Sequence, residues 1–194
     1  LFFGNSAFNS DVSSWDVSRV TTMRGMFRLA SDFNSDVSSW DVSSVTTMYY
    51  MFAYADKFNS DISSWDVSSV TTMYYMFRSA SSFSQTLCWD ATGILTTDMF
   101  DGSGGGSLSS YVDSGIAVYT PYPMSDSSLP TAVSAWCSNS ATAEGTYGHI
   151  KCWDTSAVTD MSSLIHTHCG TGGSITKSTF NEDLSLWDVS RVTT

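Results

Sequence analysis

The stretch that decides the fold runs from Phe8 to Phe27 and reads Phe-Asn-Ser-Asp-Val-Ser-Ser-Trp-Asp-Val-Ser-Arg-Val-Thr-Thr-Met-Arg-Gly-Met-Phe. The same pattern begins again at Phe33 and at Phe58, a spacing of 25 residues with no gap. A fixed period of this size is typical of arrays, because one such unit cannot bury its own apolar face and needs neighbours. The repeat therefore sets the architecture and favours a structural or binding protein over an enzyme.

The spacing of apolar residues predicts the elements within each repeat. From Val20 to Ala30 they follow in steps of three and four, which indicates an amphipathic helix with Ser18 at its N-cap. The β-branched segment 12–17 before it predicts a short strand. The sequence thus predicts an α/β fold, a leucine-rich-repeat-like solenoid with one short strand and one short helix in each 25-residue coil. The predicted strands are 12–15, 37–40 and 62–65, and the predicted helices are 19–29, 44–54 and 69–79.

Breaks in the pattern predict three parts. Residues 1–106 are predicted to be the end of a first array, whose irregular last repeat starts at Phe83. Residues 107–128 are predicted to be a connector. Residues 129–194, which open on a predicted helix at 129–137, are predicted to be the cap and first repeats of a second array. Since the two termini are in complementary register, we expect a segment of a longer array or of a head-to-tail filament.

Composition and charge narrow the classes of protein. The 194 residues are 42% hydrophobic, enough for a packed core, and carry a net charge of −11 from 19 acidic and 8 basic residues. Nucleic acids and anionic membranes bind basic surfaces, so neither is an expected partner. No apolar run reaches the length of a membrane span. A surface rich in Ser and Thr with few charged residues indicates an extracellular or cell-surface location.

The cysteines Cys88, Cys137, Cys152 and Cys169 predict two disulfides in an oxidising compartment. A zinc site with four cysteine ligands is the alternative, but the chain has no Cys-x-x-Cys pair. Cys88 and Cys152 each stand directly before Trp-Asp and so occupy equivalent positions in the repeat. This favours the pairs Cys88–Cys152 and Cys137–Cys169 over the two other connectivities.

Aspartates recur in two phases of the repeat and are the candidate metal ligands. Stacked at the repeat spacing, each set forms a column of carboxylates that repel one another unless a partner compensates. Ca²⁺, which prefers oxygen ligands, is one such partner, and we expect no other cofactor. The sequence favours the alternative, in which each Asp accepts hydrogen bonds from nearby backbone N–H groups at a turn. The two sets are Asp11, Asp36 and Asp61, and Asp16, Asp41 and Asp66.

Two tyrosine pairs, Tyr49–Tyr50 and Tyr74–Tyr75, are the candidate interaction residues. On the predicted helices at least one Tyr of each pair points outward. Stacked outer tyrosines would make an amphipathic patch suited to protein packing or to sugar stacking, and solvated surface is the alternative.

The recurring asparagines are predicted to be structural. We expect a buried ladder in which their side chains satisfy backbone groups where the chain turns inward. Its members are Asn9, Asn34, Asn59 and Asn181.

The consensus unit Phe-Asn-x-Asp-(Ile/Val/Leu)-Ser-x-Trp-Asp-Val-Ser-x-Val-Thr-x-Met-x-x-Met-Phe covers residues 8–100 and 147–194. It resembles the 25-residue repeat of BspA-like and mycoplasma surface lipoproteins, and similar repeats occur in algal and protist proteins. The resemblance implies a leucine-rich-repeat-like protein of the cell surface, with no established chemistry.

Two functions are consistent with these features. The first is an extracellular structural or assembly protein, such as a wall, sheath or filament component, whose partners are further copies or segments of the same repeat protein. The second is a cell-surface adhesion module that binds a host protein or a glycan through the solenoid face. No catalytic motif stands out, so we expect a protein that is not an enzyme.

Overall fold

The structure is a computed structural model that describes residues 2–113, 116–118, 120–170, 175–176 and 178–194. The chain forms two compact units, Leu1–Leu108 and Ser109–Thr194, each with its own hydrophobic core. The predicted division into one array, a connector and a second array stays a prediction, because compactness does not show where an array ends.

In the first unit, corresponding residues of consecutive repeats lie side by side. Parallel bridges join Thr22 to Thr47, Thr47 to Thr72, and Thr72 to Leu95. The only regular strands among the described residues of this unit are β1 (Thr86–Leu87) and β2 (Ser107–Leu108), which pair in parallel with Thr86 opposite Ser107. Turns make up about half of residues 8–82.

Backbone donors between Met23 and Leu29 alternate in direction. The N–H groups of Met23, Gly25, Phe27 and Leu29 donate to carbonyl oxygens of the next repeat over 2.9–3.0 Å. The N–H groups between them close local turns, for example Met26 to the Met23 carbonyl at 3.2 Å. The second repeat follows the same scheme, so the main chain of one repeat is satisfied largely by the main chain of its neighbour.

The predicted α/β solenoid of strand plus helix is wrong. The described part of the chain has no helix over 19–29, 44–54 or 69–79 and no strand over 12–15, 37–40 or 62–65. In an α-helix each N–H donates to the carbonyl four residues earlier. The N–H groups of Phe27 and Leu29 instead donate to carbonyls of the next repeat. The three-residue steps that predicted a helix instead mark turns in which an N–H donates three residues back, as from Ala30 to Phe27.

The core of the first unit is a column of aromatic rings flanked by Met and Val. Phe27 and Phe33 stack with ring centroids 3.8 Å apart, and Phe27 lies 5.7 Å from Phe52 of the next repeat. Stacked rings and the surrounding aliphatic groups exclude water from the space between repeats, which is the main source of stability here. The column consists of Phe2, Phe8, Phe27, Phe33, Phe52, Phe58, Phe77, Phe83 and Phe100.

The second unit begins with an antiparallel pair, β3 (Tyr111–Asp113) and β4 (Ile116–Val118), in which Tyr111 lies opposite Val118. Three helices follow, α1 (Leu129–Ser138), α2 (Ser140–Tyr147) and α3 (Leu164–His168), with a 3-10 turn at Ile150–Cys152. The helix predicted at 129–137 is therefore confirmed.

Helix α1 buries one face in the core of the second unit. Its buried residues include Leu129, Val133 and Trp136, with Pro130 in its first turn, where the missing N–H has no consequence. Asn139 caps α2, because its side chain accepts the N–H of Thr142 at 3.1 Å. The helices thus cover a core built around Trp153 and Val158, both buried.

Candidate interaction face

The tyrosine pairs form a two-layer stack on the first unit. Tyr49 stacks on Tyr74 with centroids 5.5 Å apart, and Tyr50 on Tyr75 at 5.0 Å. All four side chains are half-buried. The stack comes from the 25-residue period and not from a helix, because each Tyr lies beside the residue 25 positions later.

The backbone holds two of these rings in an unusual conformation. Tyr50 and Tyr75 have φ angles of 58° and 57°, and Gly25 occupies the equivalent position at 59°. A left-handed backbone disfavours a bulky side chain by about 1–2 kcal/mol, which glycine avoids. The stack of Tyr50 and Tyr75 is therefore kept in place by the surrounding repeat contacts.

Arginines cover the open ends of the stack. The Arg24 guanidinium lies 5.0 Å from the centre of the Tyr49 ring, and that of Arg28 lies 4.5 Å from Tyr50. The centre of the Phe3 ring lies 5.3 Å from the same guanidinium, so this cation contacts two rings. Such cation–π contacts contribute about 0.5–1 kcal/mol each at exposed sites.

Arg78 extends the face along the repeats. Its guanidinium lies 4.6 Å from the Tyr75 ring and pairs with Asp101 at 3.4 Å. The sequence pattern does not single out these arginines, although Arg28 and Arg78 stand 50 residues apart at the same repeat position. We define the Arg–Tyr face as Phe3, Arg24, Arg28, Tyr49, Tyr50, Tyr74, Tyr75 and Arg78.

The phenols of Tyr49 and Tyr75 stay protonated. A hydrogen bond with the Tyr74 hydroxyl, followed by burial, raises the pKa of Tyr75 well above its ordinary value of 10.0. Burial, followed by a hydrogen bond with Tyr50, raises the pKa of Tyr49 in the same direction. At neutral pH the face therefore offers the neutral hydroxyls of Tyr49 and Tyr75 together with cationic guanidinium groups.

A cleft of about 350 Å³ opens at one end of the face. Phe3, Arg24, Gly25, Arg28, Tyr49 and Tyr50 line it. The Nε atom of Arg28 is buried and has no hydrogen-bond partner among the described residues. A buried donor without a partner is destabilising by about 1–3 kcal/mol.

The aspartate columns are used by local turns. Asp11 Oδ1 accepts the N–H of Ser13 at 2.9 Å, and Asp16 Oδ1 accepts both the N–H (3.1 Å) and the hydroxyl (2.6 Å) of Ser18. These bonds lower the pKa of both carboxyls. The later repeats have the same arrangement, with acceptors Asp36, Asp41, Asp61 and Asp66.

The geometry supports turn capping by these carboxylates. Asp41 has Asp16 and Asp66 as neighbours that raise its pKa, but the Ser43 bonds outweigh them and the net shift is downward. Among the residues that the structure describes, no group of three or more His, Cys, Asp or Glu side chains is placed to hold a metal ion. The calcium hypothesis for these columns stays open to the chelation experiment below.

The asparagine ladder satisfies backbone donors, but its first members are exposed and not buried as expected. Asn9 Oδ1 accepts the N–H of Asn34 at 2.8 Å, and Asn34 Oδ1 accepts that of Asn59 at 2.9 Å. Each amide therefore links one repeat to the next at the surface.

Cys137 and Cys169 are disulfide-bonded, with Cα atoms 5.2 Å apart, which is the pairing that the sequence favoured. The bond joins the end of α1 to the residue after α3. The pairing of Cys88 with Cys152 stays a prediction.

No described helix has both the length and the apolar character needed to cross a membrane. Comparison with curated proteins and with solved structures gives no significant match. A family comparison does give one, over residues 1–105 and 141–194, which together make up more than half of the chain. The protein therefore belongs to the family described as "Mycoplasma protein of unknown function, DUF285".

Proposed function

We propose that the protein is an extracellular structural protein, not an enzyme, whose 25-residue repeats assemble with further repeats of the same type. The partner is another copy or segment of the same protein, and the product is a wall, sheath or filament component.

The contact between repeats carries this proposal, because it is made the same way each time. Trp40 donates its indole N–H to the Val12 carbonyl at 3.0 Å. The equivalent indoles of the next two repeats donate to the corresponding carbonyls at 3.0 and 3.1 Å. In the asparagine ladder, each side-chain oxygen accepts a backbone N–H of the next repeat at 2.8–3.0 Å. The phenylalanine column runs through the same repeats. A surface that pairs with its own kind in this way is a template for one more repeat.

In the first full repeat of the sequence, the corresponding surface lies around Trp15. The Trp15 side chain is 38% exposed, whereas Trp40 and Trp65 are 4% exposed because the preceding repeat covers them. Phe8 is only partly buried, although Phe33 at the same repeat position is fully buried. Covering this apolar face with a further repeat would be favourable in proportion to the area removed from water.

The location agrees with this role. Membership of a repeat-type mycoplasma family related to surface proteins and the Cys137–Cys169 disulfide are compatible with an extracellular or surface location. The leucine-rich-repeat-like part of the resemblance is not confirmed.

Electron microscopy of the purified protein and of native material tests the proposal. We expect ordered polymers or sheets whose spacing is a multiple of the length of one copy. Dispersed single particles at every concentration would contradict an assembly role.

The Arg–Tyr face favours adhesion as a second candidate function. It presents aromatic and cationic groups on a chain with a net charge of −11, where exposed cations are scarce. Aromatic residues and arginines are enriched where proteins bind other molecules. Binding of the intact protein to host cells or glycan surfaces, lost on mutation of this face, would support adhesion.

A further inference from the structure

We propose that the cleft between Phe3, Arg24, Arg28, Tyr49 and Tyr50 binds the acid group of an anionic saccharide, a carboxylate or a sulfate. The proposal rests on the second candidate function, adhesion, and names its ligand class.

The two arginines are prepared for an anion. In the described part of the chain neither Arg24 nor Arg28 forms an ion pair, in contrast to Arg78, which pairs with Asp101. Phe3 and Tyr50 both contact the Arg28 guanidinium, with ring centres 5.3 and 4.5 Å away. An arginine fixed in this way loses little side-chain entropy when it binds a carboxylate or sulfate with two parallel hydrogen bonds.

The stacking covers the faces of the Tyr49 and Tyr50 rings, so a ligand can contact these residues only at their edges. The Tyr49 ring lies between Arg24 and Tyr74, and the Tyr50 ring lies between Arg28 and Tyr75. A neutral sugar that stacks on a tyrosine face therefore has no open ring here. The terminal guanidinium nitrogens and the phenol hydroxyls of the residues that line the cleft remain, and these recognise oxygen atoms.

The size and lining of the cleft favour a sugar over an acidic peptide. About 350 Å³ is at the small end of ligand sites and holds a single small group. Phe3 is its only purely apolar side chain, so the cleft offers no deep apolar slot for a peptide anchor. A sugar ring that carries an acid group supplies both the anion and the hydroxyls that such a lining can bind.

Isothermal titration calorimetry of the full chain tests the ligand class, with a uronate tetrasaccharide, a sulfated tetrasaccharide and a neutral glucose tetrasaccharide as probes. We expect at least one acidic probe to bind and the neutral probe not to bind. The two acidic arms distinguish carboxylate from sulfate. Binding should weaken as salt rises, because the contacts are ionic.

The variant R24Q/R28Q should bind the acidic probe at least about tenfold more weakly, because charged hydrogen bonds contribute about 1.5–3 kcal/mol each. R28K keeps the charge, loses the planar fork and should also bind more weakly. Arg19→Gln removes the same charge from an exposed position outside the cleft and should bind like the parent chain. Equal melting temperatures of R28K and the parent show that a loss of binding is not a loss of fold.

Three results would overturn the proposal. They are no binding of either acidic probe, R24Q/R28Q affinity equal to that of the parent, and binding of polyglutamate as tight as that of the sugars. If adhesion to cells persists while these sugars fail to bind, the adhesion function stands and only this ligand class is wrong.

Discussion

The indole Nε1 of Trp40 donates a hydrogen bond to the carbonyl oxygen of Val12, 28 residues earlier, at 3.0 Å. Trp65 and Trp89 do the same to Val37 and Ile62 of the repeats before them. The bond is buried, and the indole is the second donor to this carbonyl, which also accepts the N–H of Trp15 in the turn at 3.1 Å. It fixes the register between repeats at one point, while the phenylalanine column supplies the apolar contact.

Trp65→Phe tests the strength of this contact. Phenylalanine keeps an aromatic ring at this position, but it is smaller than the indole, and the buried carbonyl of Val37 loses the second of its two donors. We expect the free energy of unfolding, measured in urea, to fall by about 1–3 kcal/mol. Trp15→Phe is the matched control, since Trp15 is 38% exposed, and it should change the stability by less than about 0.5 kcal/mol. Equal effects of the two substitutions would show that the indole bond contributes nothing.

Asp183 makes the second unit sensitive to acid. Hydrogen bonds from the backbone and side chain of Ser185, followed by Lys151, lower the pKa of Asp183 from 3.8 to about 2. Because the folded pKa is depressed, its contribution to stability is fully present above about pH 4 and is lost as the pH falls towards 2. Titration of the Asp183 carboxyl carbon by NMR should give a midpoint near 2, and a midpoint near 3.8 would contradict the hydrogen-bond geometry.

Chelation separates the two accounts of the aspartate columns. Turn capping by Asp11, Asp16 and their equivalents needs no metal, so EDTA should leave the melting temperature unchanged. A fall of many degrees that added Ca²⁺ reverses would show that the columns bind calcium.

The disulfide of the second unit should contribute strongly to stability. Cys137 and Cys169 are 32 residues apart in sequence. Closing a loop of this length in the unfolded chain is worth about 3–4 kcal/mol in the chain-entropy model, so C137A/C169A should be destabilised by about that amount. Peptide mapping of the oxidised chain should give Cys137–Cys169 and Cys88–Cys152. A Cys137–Cys152 peptide would contradict both pairs.

The period of the sequence predicted which residues lie beside each other, and the tyrosine stack follows from it. The spacing of apolar residues failed for the local structure, since three-residue steps arise both on helices and along successive turns. A helix and a series of turns differ in the carbonyl to which each N–H donates. The N–H of Phe27, for example, donates to the carbonyl of Met51, so the local structure depends on the neighbouring repeat. Local patterns contain no such information.

The arginines show a similar limit. Arg28 could not be placed on Tyr50 from sequence alone, because their contact requires the register between two repeats and the left-handed backbone at Tyr50. The aligned repeats do contain one indication of this contact. Arg24 stands where the later repeats have Tyr49 and Tyr74, so a basic residue at the end of a tyrosine column was visible in the aligned repeats.

Sedimentation velocity over a concentration series tests most directly whether repeats of this protein dock onto one another. We expect the parent chain to form species larger than a monomer as concentration rises, and we expect Trp15→Arg, which puts a charge on the apolar face around Trp15, to stay monomeric at the same concentrations. Ser69→Arg is the control, since Arg19 already occupies the equivalent position of the first repeat, and it should associate like the parent. A parent chain that remains monomeric throughout, or a Trp15→Arg variant that associates equally well, would contradict the account.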